Sequence, residues 1–399
     1  MPSVIKRIAE YNGNIPPQLH DIKWKALAES PFRFFRGTCH LFAADFMKLY
    51  DYKPKIKTWM CGDLHVENFG SYKGENRLVY FDLNDFDEAI LASPEPEVAR
   101  FLTSIVIAIR QMGADDKEIA KALKEIMDTY IKTILAGKAL MMESEVAYGV
   151  LKAYFERVSM RNRQSFILKH TEKKKNALVL LPDGVHFMPL SREKRTQVFQ
   201  GLRELFKHNE HFADMQLEDA AFRLAGTGSL GLQRYCVLCY NKNRNKHYLI
   251  DIKEARPSCY KGLIKAKQPH FKTEAERVNI VGYTMQFNSP AFSSSVKIDD
   301  KWYVVKELQP LADKMAVADF KDDLSSFREV AADMATLMAY AQIRSCGHMG
   351  ASSVDELIDF AGKKKWQKDI TDLSFELADR NNKYYDAFMK SEKIKHRLV

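Results

Sequence analysis

Gly226-Thr227-Gly228-Ser229-Leu230-Gly231, followed at once by Leu232-Gln233-Arg234-Tyr235-Cys236-Val237-Leu238-Cys239-Tyr240, decides between two architectures. The glycines fit G-x-G-x-x-G, a spacing shared by dinucleotide-binding folds and by loops that cover phosphates between two strands. In a dinucleotide fold the glycine turn has to open a helix. Here the residues that follow alternate and are β-favouring, which predicts a strand. The expectation is a glycine loop between two strands, with its backbone laid over phosphates.

The next predicted strand, Tyr248 to Ala255, carries Lys253, placed to pair with the phosphates under such a loop. A solvent-facing strand lysine is the ordinary alternative. Upstream lies Cys61-Gly62-Asp63-Leu64-His65-Val66-Glu67-Asn68, then Phe81-Asp82-Leu83-Asn84-Asp85-Phe86-Asp87. Phosphoryl transfer needs a carboxylate beside the attacking hydroxyl and oxygen ligands that hold magnesium against the phosphates. Asp63, Asn68 and Asp82 have that chemistry, and hairpin closure between the two runs brings their ends together. Asp, Asn and Gly also favour plain turns, which is the competing reading.

The run GDLHVEN resembles the catalytic loop of the aminoglycoside phosphotransferase and choline kinase branch of protein-kinase-like enzymes, departing at Cys61, where that branch has histidine. The resemblance implies Asp63 as catalytic base and Asn68 and Asp82 as magnesium ligands, with Asp85 a further metal candidate. It implies ATP held by Gly226, Thr227, Gly228, Ser229, Gly231 and Lys253. It also implies a helix glutamate, Glu274 or Glu276, holding Lys253, and an adenine hinge near Glu307 to Gln309. In such enzymes the glycine loop and lysine precede the catalytic loop, whereas here they follow it. Circular permutation reconciles the order. Together with PFRFFRG and DIKEARPS, that order resembles a bacterial family known as domain of unknown function family 2252. Arg36 and Arg256, in those two runs, are weaker phosphate-contact candidates.

The expected fold is therefore α+β: a two-lobed, circularly permuted protein-kinase-like architecture with a β-rich small lobe and a helical large lobe. Residues 1–164 would form the first part of the large lobe with the catalytic loop and metal motif, 165–310 the small lobe, and 311–399 the remaining large-lobe helices. The expected function is ATP- and Mg2+-dependent phosphoryl transfer to a hydroxyl-bearing acceptor, a small molecule before a protein. The alternatives are a non-catalytic ATP-binding module and a nucleotidyl transferase.

The chain has 399 residues and a formal charge of +9, long enough for two units with real cores. The charge suits anionic partners such as nucleotides, though a lysine-rich surface explains it equally. No signal peptide or bilayer-length apolar run is evident, so a cytoplasmic location is expected, without a membrane or nucleic-acid partner. Six cysteines in a chain of this length read as reduced thiols rather than a disulfide framework. Cys236 and Cys239 lack a second pair at zinc spacing and read as core.

Residues 1–60 are expected to be helical, with Leu41, Phe42, Phe46 and Leu49 on one face. Two short strands, Thr58 to Cys61 and Leu78 to Leu83, are expected around the acidic runs. Ser93 is expected to cap a helical region reaching about Arg163. A hairpin over 176–190 should turn at Pro182-Asp183-Gly184. A helix over 193–207, a strand-rich stretch over 220–308 interrupted by a helix near 273–283, and helices from 316 onward complete the reading.

Overall fold

Every residue from Glu95 to Ile109 is buried in the helix Glu95–Gln111, and a helix apolar on all sides has to be surrounded. The computed structural model, which describes residues 3–13, 15–175, 177–228, 230–309, 315–392 and 394–395, draws that surround from both ends of the chain. Lys364–Lys390 and Asp116–Ala136 pack against it, and Leu324–Ser345 packs on Asp116–Ala136. A capping box at Asp115 and Glu118 opens Asp116–Ala136, and Gly137, at φ 63°, ends it in the left-handed conformation glycine tolerates. Four N-terminal helices, Val4–Tyr11, Pro17–Ala28, Pro31–Gly37 and Cys39–Leu49, join this body. Trp24, Leu27, Phe34 and Leu41 pack against Phe388 of the C-terminal helix.

The middle of the chain builds an antiparallel sheet of six strands in the order Ser294–Ile298, Lys301–Glu307, Lys246–Glu254, Arg234–Asn241, Met215–Arg223, Phe187–Met188. Strand alternation separates two faces. Tyr235, Val237, Cys239, Ile250 and Ile252 meet Val198 and Leu202 of the helix Arg192–His208. Cys236, Leu238 and Leu249 meet Ile167 and Leu180 on the other face. Cys236 and Cys239 thus lie in separate cores and cannot share an ion.

The architecture is mixed α+β, and the glycine loop joins two antiparallel strands, Met215–Arg223 and Arg234–Asn241, where a dinucleotide fold would open a helix. The local expectations differ in three places. The acidic runs are framed by four strands: Thr58–Met60 pairs with Ile90–Ala92, and Phe69–Lys73 with Val79–Leu83. Ser93 does not cap its helix through its side chain; the cap position is Pro94, and the Ser93 hydroxyl bonds to Tyr52. The hairpin expected at Pro182 to Gly184 forms elsewhere. Ala177–Leu180 pairs backward with Thr171–Lys174, and Phe187–Met188 joins the large sheet beside Met215–Arg223. The Asp183 carboxylate explains the redirection, since it accepts from the backbone N–H groups of Val185, His186 and Phe187 and holds an open loop.

Candidate active site

Two loops come side by side because the hairpin Phe69–Lys73/Val79–Leu83 is inserted between two strands that pair with each other. One is 61–68 and the other 84–89. Asn68 stitches them: its amide nitrogen donates to the Asp63 carbonyl at 3.0 Å and the Asp85 carbonyl at 3.3 Å, leaving its oxygen as the atom it can offer a cation. The buried Glu97 carboxylate accepts from the Cys61 backbone N–H at 2.6 Å and from Gly62 at 3.4 Å. Gly62 has φ 86°, and a Cβ there would run into the Glu88 backbone, so this turn requires glycine.

Asp63 is held by Arg100, whose Nε and Nη2 lie 2.9 and 2.6 Å from Oδ1. Arg100 is wholly buried, whereas the Asp63 side chain keeps 23% exposure. The guanidinium also donates to the Phe35 carbonyl at 2.8 Å and stacks over the Phe35 ring at 3.6 Å. Burial raises the Asp63 pKa and Arg100 opposes that shift. The result is a carboxylate with one oxygen fixed and the group still partly exposed.

Lys253 reaches across from the sheet. Its ammonium lies 2.9 Å from Asp85 Oδ2 and also pairs with Asp87. Burial alone would lower the lysine pKa, but the two carboxylates outweigh it and hold the group above the ordinary lysine value. Burial and the neighbouring Asp85 raise Asp87 in turn. The glutamates expected to hold Lys253 are engaged elsewhere: Glu274 with Arg277 and Lys261, Glu276 with the Lys272 backbone N–H. Glu307, at the expected hinge, is tied to Arg77 and Arg163.

Asp82 does not join this group. It is almost wholly buried, and its oxygens accept from Arg344 at 3.0 Å, from the Leu83 N–H at 2.9 Å and from the Phe287 N–H at 3.2 Å. It ties the hairpin to Leu324–Ser345.

The glycine loop is docked on the N-terminal helices. Lys23 donates to the Gly228 carbonyl at 2.9 Å, and Arg33 to the Thr227 hydroxyl at 2.8 Å. Burial, assisted by Arg256, pushes the Lys23 pKa down to about 7. Gly226 and Gly231 have φ 77° and 103°, and a Cβ at Gly231 would overlap the Ile15 side chain. Ser229 lies outside the described residues. Arg36 bridges toward the loop 61–68 by pairing with Glu67, which also accepts from the Val317 N–H at 3.1 Å. Arg256 pairs with Glu254.

Magnesium binds through one or two protein carboxylates and completes its shell with water and phosphate. Asp85 and Asp87, already converging on one cation, fit that demand, with Asn68 adjacent. Among the described residues no group of three or more His, Cys, Asp or Glu side chains could hold a metal ion, so water or other ligands from outside the chain would have to complete a shell. The sequence reading missed Glu97, Arg100 and the pairing role of Asp87. An arginine opening an apolar run is a signal that could have been used, because a buried arginine demands a carboxylate.

A family model described as "Uncharacterized protein conserved in bacteria (DUF2252)" matches residues 16–391. No curated protein and no solved structure matches the chain. Among the described residues no helix is long and apolar enough to cross a membrane.

Proposed function

We propose that this chain, which belongs to the DUF2252 family, is an ATP- and Mg2+-dependent phosphotransferase of two-lobed, circularly permuted protein-kinase-like design, acting on a hydroxyl-bearing acceptor. One observation carries the reading: Lys253 and Asp85, 168 residues apart in sequence, meet as an ion pair at 2.9 Å. The meeting puts the sheet with its glycine loop opposite the loop of Asp63 and Asn68. In this reading Lys253 binds donor phosphates, Asp85 and Asp87 with Asn68 hold the magnesium ion, and Asp63 orients the acceptor hydroxyl. The ion supplies charge neutralisation on the phosphates. A group fixed by Arg100 suits an orienting role, since phosphoryl transfer depends more on positioning and electrostatics than on a strong base.

The test is nucleotide binding and turnover with the full chain, Mg2+ and ATP. Asp63→Asn, once its melting curve shows a folded protein, should bind Mg·ATP within about threefold of wild type while losing at least about a hundredfold in turnover. Unchanged turnover removes Asp63 from its role. Thermal stabilisation by Mg·ATP without consumption of ATP, over a broad panel of hydroxyl acceptors, would indicate the non-catalytic module. Product mass separates phosphoryl from nucleotidyl transfer.

A further inference from the structure

Cys39 opens the helix Cys39–Leu49, and Cys259 lies just beyond the strand that carries Lys253. Although 220 positions separate them in sequence, their sulfurs lie 3.7 Å apart. A disulfide bond is about 2.05 Å long, so the two atoms have only about 1.6 Å to close. The backbones on either side are held in place. Cys39, Ala43 and Met60 share one buried cluster with Tyr260 and Ile264, and Cys259 packs against it. The Cys259 N–H donates to the Glu88 carboxylate, the Ser258 hydroxyl to the Glu88 carbonyl at 2.8 Å, and the Cys39 thiol to the Gly62 carbonyl at 3.6 Å. The other four thiols have different surroundings. Cys236 and Cys239 occupy opposite faces of the sheet, Cys61 belongs to the large core, and Cys346 donates to the Gln342 carbonyl of its own helix.

We propose that Cys39 and Cys259 are a reversible modification site, closed to a disulfide by a hydroperoxide and reopened by a dithiol. The link joins the N-terminal helices to the segment that leaves the Lys253 strand, and it stands independently of the phosphotransferase reading. Cys259 is half-buried and Cys39 nearly enclosed, so hydrogen peroxide meets Cys259 first. The Cys259 thiolate attacks one peroxide oxygen and the O–O bond breaks. Cys259 becomes a sulfenic acid, and the hydroxide that leaves takes up the thiol's proton as water. The Cys39 sulfur then attacks Cys259: the S–S bond forms, the S–O bond breaks, and the departing hydroxide takes the Cys39 proton as a second water. The two sulfurs give up two electrons and the peroxide takes them. On reopening, the dithiol is oxidised to its own disulfide and both cysteines return as thiols. Burial holds both thiols above the ordinary cysteine value, and the thiolate is the form that attacks, so closure should quicken as pH rises.

The experiment treats the reduced full chain with hydrogen peroxide at about pH 8, below its melting temperature, caps the remaining thiols with N-ethylmaleimide and digests with trypsin without reduction. Cleavage releases residues 37–48 around Cys39 and 254–261 around Cys259, because Pro257 protects the bond after Arg256. The expected product is these two peptides linked, in at least about tenfold excess over any other cysteine pair, and separated again by dithiothreitol. The chain unfolded in urea should lose that preference. Cys39→Ser removes the second sulfur, so its Cys259 should stop at the sulfenic acid and be trapped by dimedone. Recovery of both peptides from the folded wild type capped, or carrying oxygen without a link, would overturn the proposal, as would cysteine pairs in the proportions given by the unfolded chain.

Discussion

Replacing Arg100 by methionine isolates what holds the candidate catalytic carboxylate. The substitution keeps an apolar stem against Phe35 and Phe42 but removes two charge-assisted hydrogen bonds to Asp63 and one to the Phe35 carbonyl. Breaking a fully buried ion pair by deleting one partner costs about 3–5 kcal/mol. Asp63 keeps 23% exposure, so water recovers part of that, and the expected loss is about 2–4 kcal/mol. Asp63→Asn strands the buried guanidinium and should cost a comparable amount. The double variant should cost little more than either single one, a coupling of about 2–3 kcal/mol. The pH dependence gives an independent sign. Burial already raises Asp63 in the folded state, and loss of Arg100 raises it further. The folded state then retains a proton that the unfolded state has released, so stability falls as pH rises from the unfolded carboxylate value toward the folded one. The deficit of Arg100→Met against wild type should accordingly be larger at about pH 8 than at about pH 5. Urea unfolding of the four proteins at both pH values measures all of this. Additive single-variant losses with a pH-independent deficit would refute the reasoning.

Lys253→Met should remove the ammonium that pairs with both Asp85 and Asp87. Since the Asp85 side chain is 44% exposed, the cost should be only about 1–2 kcal/mol, and millimolar Mg2+ should recover more stability in the variant than in wild type, read as a shift in melting temperature. Wild type should also lose stability as pH climbs above about 10.4 through the raised Lys253 pKa, a loss absent from the variant. Gly231→Ala combines a left-handed φ with overlap on Ile15; it should cost about 1–3 kcal/mol and raise hydrogen exchange at Gly226 to Gly228. Exchange unchanged from wild type would detach the glycine loop from the N-terminal helices.

Several of the residues that meet in the candidate site are legible along the chain. Asp63, Asn68, Asp85 and Lys253 stood out because each lies in a short run whose spacing reflects local geometry, a loop or a strand end. Asp82 stands out for the same reason, and only the structure shows that Arg344, 262 residues away, donates to it. The hairpin at Pro182 failed because an Asp183 side chain outcompeted the turn that its neighbours would otherwise make. Glu274 and Glu276 are expected by analogy of position, but Lys253 is held by Asp85 and Asp87, nearer the amino terminus.

The amino-acid sequence by itself determined which segments alternate, which repeat with helical spacing and where glycine frees the backbone, since these follow from steric and hydrophobic preferences within a few residues. Only the tertiary structure decided that Arg100 faces Asp63, that Asp251 lies between two arginines and that Ile167 and Leu180 cover one face of the sheet. Those outcomes depend on which buried charge finds a partner when distant elements close on one another, and no local preference encodes that choice.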